Sequence, residues 1–262
     1  MPLTINDIED YANKLWWEHL SEQQKTMLAV NYFFRNEQYK IYDYSNYLDI
    51  YLKHFFIEFS LEYSGITYKE IYSLKHLNLC NFNISDLNFI AHLRDLESLY
   101  LGDNMITDLN PISHFKNLKT LNIHSNKVKS LLPLKNMHTL TYLNCFNNNL
   151  KNINPIKDLC QLQFLNVVCN QIKLIDAVKN LTKLNILMCD NNQINSLKGV
   201  ENLIELSELT CYSNRISDLT PLSNCIKLEE LWCFNNLISD LSPIKELPLL
   251  TKLHAHVNLS LN

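Results

Sequence analysis

Leucine returns in step every 22 residues along most of this chain, and few folds tolerate that period. Leu74, Leu96, Leu118, Leu140, Leu162, Leu184, Leu206, Leu228 and Leu250 open nine units in unbroken phase. Three residues on, each unit carries leucine again, from Leu77 to Leu253. Two further stand Leu79, Leu101, Ile123, Cys145, Val167, Cys189, Cys211, Cys233 and Ala255. Three further stands asparagine, at Asn104, Asn126, Asn148, Asn170, Asn192, Asn214, Asn236 and Asn258, and only the first unit departs, with Phe82. An aliphatic residue follows two places later, from Ile84 to Ile238.

The apolar alternation at the fourth to sixth places has period two, so that stretch is a short strand with one side facing inward. The asparagine follows, where the chain must turn. Its amide both donates and accepts, so it can satisfy the backbone groups that the turn strands inside. Stacked coils should therefore carry an asparagine ladder. Pro111, Pro133, Pro155, Pro221 and Pro243 share one phase in the second half of the unit, where Ala177 and Gly199 replace proline in two units. Proline has a fixed φ and no N–H, which suits the start of a short helical turn.

This L-x-x-L-x-L-x-x-N-x-I unit, with its Leu-x-Pro-Leu-like segment, resembles the internalin-type leucine-rich repeats of bacteria and of their intracellular eukaryotic relatives. The resemblance covers residues 66–262. It implies an α/β fold: a right-handed leucine-rich-repeat solenoid, or horseshoe. A curved parallel β-sheet would line the concave side, with short 3-10 or α turns on the convex side. The resemblance also implies a bacterial interaction module that binds a partner protein on the concave sheet. Some intracellular relatives of this class control phosphatases, which gives an alternative: a regulatory subunit of a partner enzyme.

Residues 1–65 do not follow the repeat and read as an α-helical N-terminal cap. Thr4 with Asp7 and Ser21 with Gln24 have capping-box spacing. Ile8, Tyr11, Ala12, Leu15 and His19 keep helical spacing, as do Tyr47, Leu48, Tyr51, Leu52, Phe55 and Phe59. The second start leads to Met27, Leu28 and Val30, and Thr67 with Glu70 opens a turn feeding the first strand. A layer rich in Trp16, Trp17, Phe33, Phe34 and Phe56 would cover the open end of the first coil.

Composition narrows the function classes. The formal net charge is −4, so no strong basic field is available and nucleic acid is not an expected partner. No apolar run of about 18 residues occurs, and no membrane partner is expected. The N-terminus shows neither a basic segment nor an apolar one, so the eight cysteines read as reduced thiols. The expected setting is the cytoplasm, or secretion as an effector without a classical signal peptide. No phosphate loop, nucleophile elbow or zincin sequence appears, so the chain is not expected to be an enzyme or to hold a cofactor or metal.

The residues between the inward places should line the concavity in three columns. Tyr142, Phe164 and Ile186 share the first column with Glu208 and Glu230, and Met188 and Trp232 share the second. Phe146, Val168, Asp190, Tyr212 and Phe234 share the third. The apolar members should form a nearly continuous stripe on units four to eight, as binding surfaces do. Asp190, Glu208 and Glu230 stand beside it, placed to orient a basic partner.

Cys145, Cys189, Cys211 and Cys233 share an inward place and read as core. His254 and His256 read as solvated histidines of the last strand rather than metal ligands. The edge of that strand, near Leu253 to Val257, is a candidate for pairing with a second copy in a homodimer.

Overall fold

The computed structural model describes residue 15, residues 18–21, 23–25 and 27–28, and the continuous stretch 71–258. That stretch carries nine strands of three residues. They are β1 (His76–Asn78), β2 (Ser98–Tyr100), β3 (Thr120–Asn122), β4 (Tyr142–Asn144), β5 (Phe164–Asn166), β6 (Ile186–Met188), β7 (Glu208–Thr210), β8 (Glu230–Trp232) and β9 (Lys252–His254). They form one parallel sheet in the order β1 to β9. Pairing keeps the phase of the repeat: Leu77 faces Leu99, Leu99 faces Leu121, and Leu231 faces Leu253. A parallel neighbour is reached only after the chain has travelled round once, so each unit is one coil of a right-handed solenoid. Coil one begins at Leu74.

The inward places make one continuous core. Leu99, Leu121, Leu143, Leu165, Leu187, Leu209 and Leu231 are fully buried. Cys145, Cys189, Cys211 and Cys233 are fully buried beside them, and all eight cysteines are free thiols. Burial pushes these four thiols up, that of Cys233 to about 12. The thiolate is the reactive form, so they act as small hydrophobes.

The asparagine ladder runs from coil two to coil nine. In coil five, Asn170 Oδ1 accepts the Leu150 N–H of the preceding coil at 2.9 Å. Its Nδ2 donates to the Cys145, Val167 and Val168 carbonyls at 3.1, 3.0 and 3.1 Å. One side chain thus satisfies backbone groups of two coils. Phe82 of coil one has no amide, and its N–H donates to Asn104 Oδ1 at 3.1 Å. The residue before each ladder asparagine is left-handed, with φ between 50° at Ser125 and 56° at Cys169. Asp103, Asn147, Asn191 and Asn235 suit that conformation, whereas Cys169 and Val257 occupy it without that advantage.

The convex side holds eight 3-10 turns, from Asn88–Ile90 to Ser242–Ile244, and five of them carry proline in the first two places. In six of the eight, a polar side chain two places ahead accepts the first N–H of the turn. Asp108 Oδ1 accepts the Asn110 N–H at 2.9 Å, and Asp86, Ser130, Asn152, Asp218 and Asp240 act alike, whereas Ser196 accepts the Lys198 N–H ahead of the Val200–Asn202 turn. Coil five has Leu174 at that place. Gly199 lies at φ +102°, and a Cβ there would stand 3.0 Å from the Asp176 carbonyl oxygen, so the missing proline is replaced by a residue that no other can substitute without strain.

In the N-terminal region the expected Ser21 start is present. Ser21 N–H donates to Gln24 Oε1 at 2.9 Å and Gln24 N–H to Ser21 Oγ at 3.2 Å, a reciprocal capping box. Met27 and Leu28 of that helical stretch, with Leu20, belong to the same core as the leucines of the coils. Leu15 is helical but exposed. The other expected helices, the aromatic layer and the boundary at residue 65 lie outside the described residues.

Asn170→Ala should lower the unfolding free energy by about 3 kcal/mol, because it orphans one buried N–H and several carbonyls at once. Urea denaturation followed by circular dichroism measures this. Gly199→Ala should cost about 1–3 kcal/mol through backbone strain and the Asp176 contact, read as a lower thermal midpoint.

Candidate functional site

Because every coil keeps the same register, outward side chains one coil apart lie directly over one another. The aromatic members of the three columns use that spacing to stack. Tyr142 and Phe164 lie parallel, ring centroids 4.3 Å apart. Tyr212 and Phe234 lie parallel at 4.4 Å, and His256 continues the pile at 4.7 Å from Phe234. Trp232 meets His254 at 4.1 Å and leans toward Phe234 at 6.3 Å. These rings are half-buried except that of His256, which is exposed. Ile186 and Met188, also half-buried, adjoin the Tyr142–Phe164 pair on β6, and Phe146 stands in the third column of coil four.

The structure departs from the sequence expectation at several places. Asp190 does not stand free beside the stripe; it is 2% exposed. Its Oδ2 accepts the Thr210 hydroxyl at 2.6 Å and its Oδ1 accepts the Tyr212 N–H at 3.0 Å. In other coils the N–H at that place is served by an asparagine two residues before it, as in Asn144 to Phe146 and Asn166 to Val168. Thr210 replaces that asparagine in coil seven, and the neighbouring coil's Asp190 takes over. Val168 is buried as well. The stripe is therefore two aromatic patches, on coils four to six and seven to nine, with a polar inlay at Asp190 and Thr210 between them. His256 is exposed, as expected of a solvated histidine, and His254 is half-buried; both also stack on rings of the preceding coil. Their phase, one coil after Trp232 and Phe234, was the available signal.

The two glutamates differ. Glu230 Oε2 accepts Lys252 Nζ at 2.8 Å, and Oε1 accepts the Trp232 indole N–H at 2.5 Å. Those bonds hold its carboxyl below the usual range. Glu208, directly opposite Glu230 on the next strand, accepts no such bond among the described residues. Partial burial, then repulsion from Glu230, pushes its carboxyl up. At the other end of the sheet, His124 lies against Gly102, where a Cβ would overlap its ring. Its Nε2 is 3.0 Å from Asp103 Oδ2.

The model for Leucine Rich repeats (2 copies) matches residues 72–114, 94–136 and 204–246. Internalin C2 from Listeria monocytogenes is 30% identical, with 73% of this chain and 84% of that one covered and a TM-score of 0.70. This chain belongs to the internalin-like leucine-rich-repeat family. A second Listeria monocytogenes internalin, inlF, is 29% identical over 77% of this chain and 67% of its own, at a TM-score of 0.64. The ectodomain of the Arabidopsis thaliana receptor kinase GASSHO1/SCHENGEN3 shares the fold at 22% identity and a TM-score of 0.64, covering 72% of this chain and 25% of that one. No curated protein matches in sequence. Leucine-rich-repeat proteins of this kind act as protein-interaction scaffolds. Among the described residues no helix is long and apolar enough to cross a membrane.

Burial pushes the Asp190 carboxyl up to about 6, against the bonds from Thr210 and Tyr212 that favour its charged form. A pKa raised on folding means that the native state binds a proton more readily than the unfolded one. The stability from this group is complete below the unfolded value of 3.8 and is lost as pH rises through about 6. Asp190→Asn keeps an acceptor for the Tyr212 N–H and removes the charge. The variant should equal or exceed the wild type in stability at neutral pH. The difference between the two should shift by about 2–3 kcal/mol between acid and neutral conditions, by urea titration.

Proposed function

We propose that this internalin-like chain binds a partner protein through the aromatic patches of its concave face. The observation that carries this is the parallel stacking of Tyr212, Phe234 and His256 beside Trp232, none of them fully buried. Such rings are held rigidly by their neighbours, so a partner meets a surface whose ordering cost is already small. Tyrosine and tryptophan in such settings are the usual interface anchors. Tyr142, Phe146, Phe164, Ile186 and Met188 form the second contact area.

The carboxylates divide the remaining work. Asp190 supports Tyr212 from below, and Glu230 fixes the Trp232 ring. Glu208 is left to receive a basic side chain of the partner, which would relieve its repulsion with Glu230. Eight free cysteines suit a reducing compartment, either the cytoplasm of the producing cell or one reached by an effector.

Affinity capture should retain a partner on the wild type and lose it on a Tyr212→Ala/Trp232→Ala/Phe234→Ala variant with an unchanged circular dichroism spectrum. Trp232→Ala alone should weaken a purified partner's Kd by about thirtyfold, the scale of an anchor residue. Equal retention by the folded triple variant would remove the concave face from consideration. Turnover of a captured enzyme, a phosphatase for example, with and without this chain separates a regulatory subunit from an adaptor.

A further inference from the structure

The convex side carries a second feature that the repeat does not require. Lys129, Lys151 and Lys173 occupy one place on coils three, four and five, where other coils have Ser85, Thr107, Asn195, Ser217 and Ser239. Lys135, Lys157 and Lys179 occupy a second shared place, after the 3-10 turn for the first two and within it for Lys179, a place that also holds Lys245 in coil eight. All six on coils three to five are exposed, and among the described residues no ion pair engages any of them. Asp158 and Asp176 stand among them, so the patch stays cationic although the whole chain is net negative.

Two leucines lie inside this lattice. Leu132 is 57% exposed and Leu174 is 55% exposed. Neither serves the core, and each replaces a polar residue. Asn88, Asn110 and Asn154 stand at the Leu132 place in other coils. At the Leu174 place the seven other coils have a polar side chain that accepts the backbone N–H two residues on, which in six of them is the first N–H of the 3-10 turn. Coil five has thus given up a stabilising cap and exposed a leucine between lysine columns.

Lysines that surround exposed leucines fit an interface that is anionic at its surface and apolar just beneath. Segments 129–136, 151–158 and 173–180 contain no arginine and no aromatic residue, which disfavours nucleic-acid recognition. We propose that the convex face of coils three to five docks on an anionic lipid bilayer, with Leu132 and Leu174 entering the headgroup boundary and the lysines against acidic headgroups. This goes beyond the concave reading and departs from the expectation that no membrane is a partner.

Sedimentation of the full chain with phosphatidylcholine vesicles, with or without one-third phosphatidylserine, tests it. Binding should require phosphatidylserine and weaken with salt. Lys129→Gln/Lys151→Gln/Lys173→Gln should lower partitioning by about tenfold or more. Leu132→Asn/Leu174→Asp should also lose binding, with a thermal midpoint equal to or above the wild type, because these residues stand at the same places in other coils and Asp restores the cap. The Trp232→Ala/Phe234→Ala variant should bind vesicles like the wild type, which separates this surface from the concave one. Absence of binding at low salt, equal binding to neutral vesicles, or loss of binding in the concave variant would overturn the proposal. Unchanged binding by the leucine variant would overturn it too, leaving a purely ionic contact of the kind an acidic protein makes.

Discussion

A coil that closes on itself must turn its backbone inward, and those buried N–H and C=O groups have no strand to pair with. The ladder asparagine is the answer to that constraint. Its amide accepts from one coil and donates to carbonyls of two, so neighbouring coils are tied at a defined rotation. An aspartate or a leucine of similar size would satisfy half of these groups or none, and a buried polar group left unpaired costs about 1–3 kcal/mol. The left-handed residue before the asparagine belongs to the same device, since it aims the amide back into the coil.

Constant rotation has a consequence for the surface. Side chains of equal phase are brought over one another for the length of the solenoid, so a single aromatic place repeated in successive coils becomes a stack. Tyr212, Phe234 and His256 need no further design than their phase to lie parallel. The same rule lines up the convex lysines. Stability comes from contacts between neighbouring coils, and the outward places are released from packing duty.

The period made the core, the strands, the ladder, the proline turns and the direction of each outward side chain legible in the sequence. Depth was not legible. Asp190 points to the concave face as its phase requires, yet it is covered, because the Thr210 hydroxyl and the Tyr212 backbone give its carboxylate partners closer than solvent. Phase assigns a face; burial depends on what the adjacent coil places alongside, and that pairing crosses 20 or 22 residues of sequence. The stacking of the two histidines escaped notice for the same reason. Taken alone on a last strand they read as solvated, whereas one period earlier stand the rings they stack on. The turn caps were missed because Asp, Ser and Asn in loops are common, and only their recurrence two places before each turn gives them meaning.

The two faces described here occupy different coils as well as different sides. The longest aromatic stack lies on coils seven to nine, while the exposed lysines and leucines of the convex side lie on coils three to five. The core lies between the concave places and the turn positions. A substitution on one face therefore alters the other only through the stability of the coil it shares, and sites that far apart behave additively. The solenoid thus permits two ligands at once, one within the curve and one outside it. Neither the core nor the turn accounts for Leu174: a core requirement would have buried the leucine, and a stability requirement would have retained the polar side chain that the other coils carry.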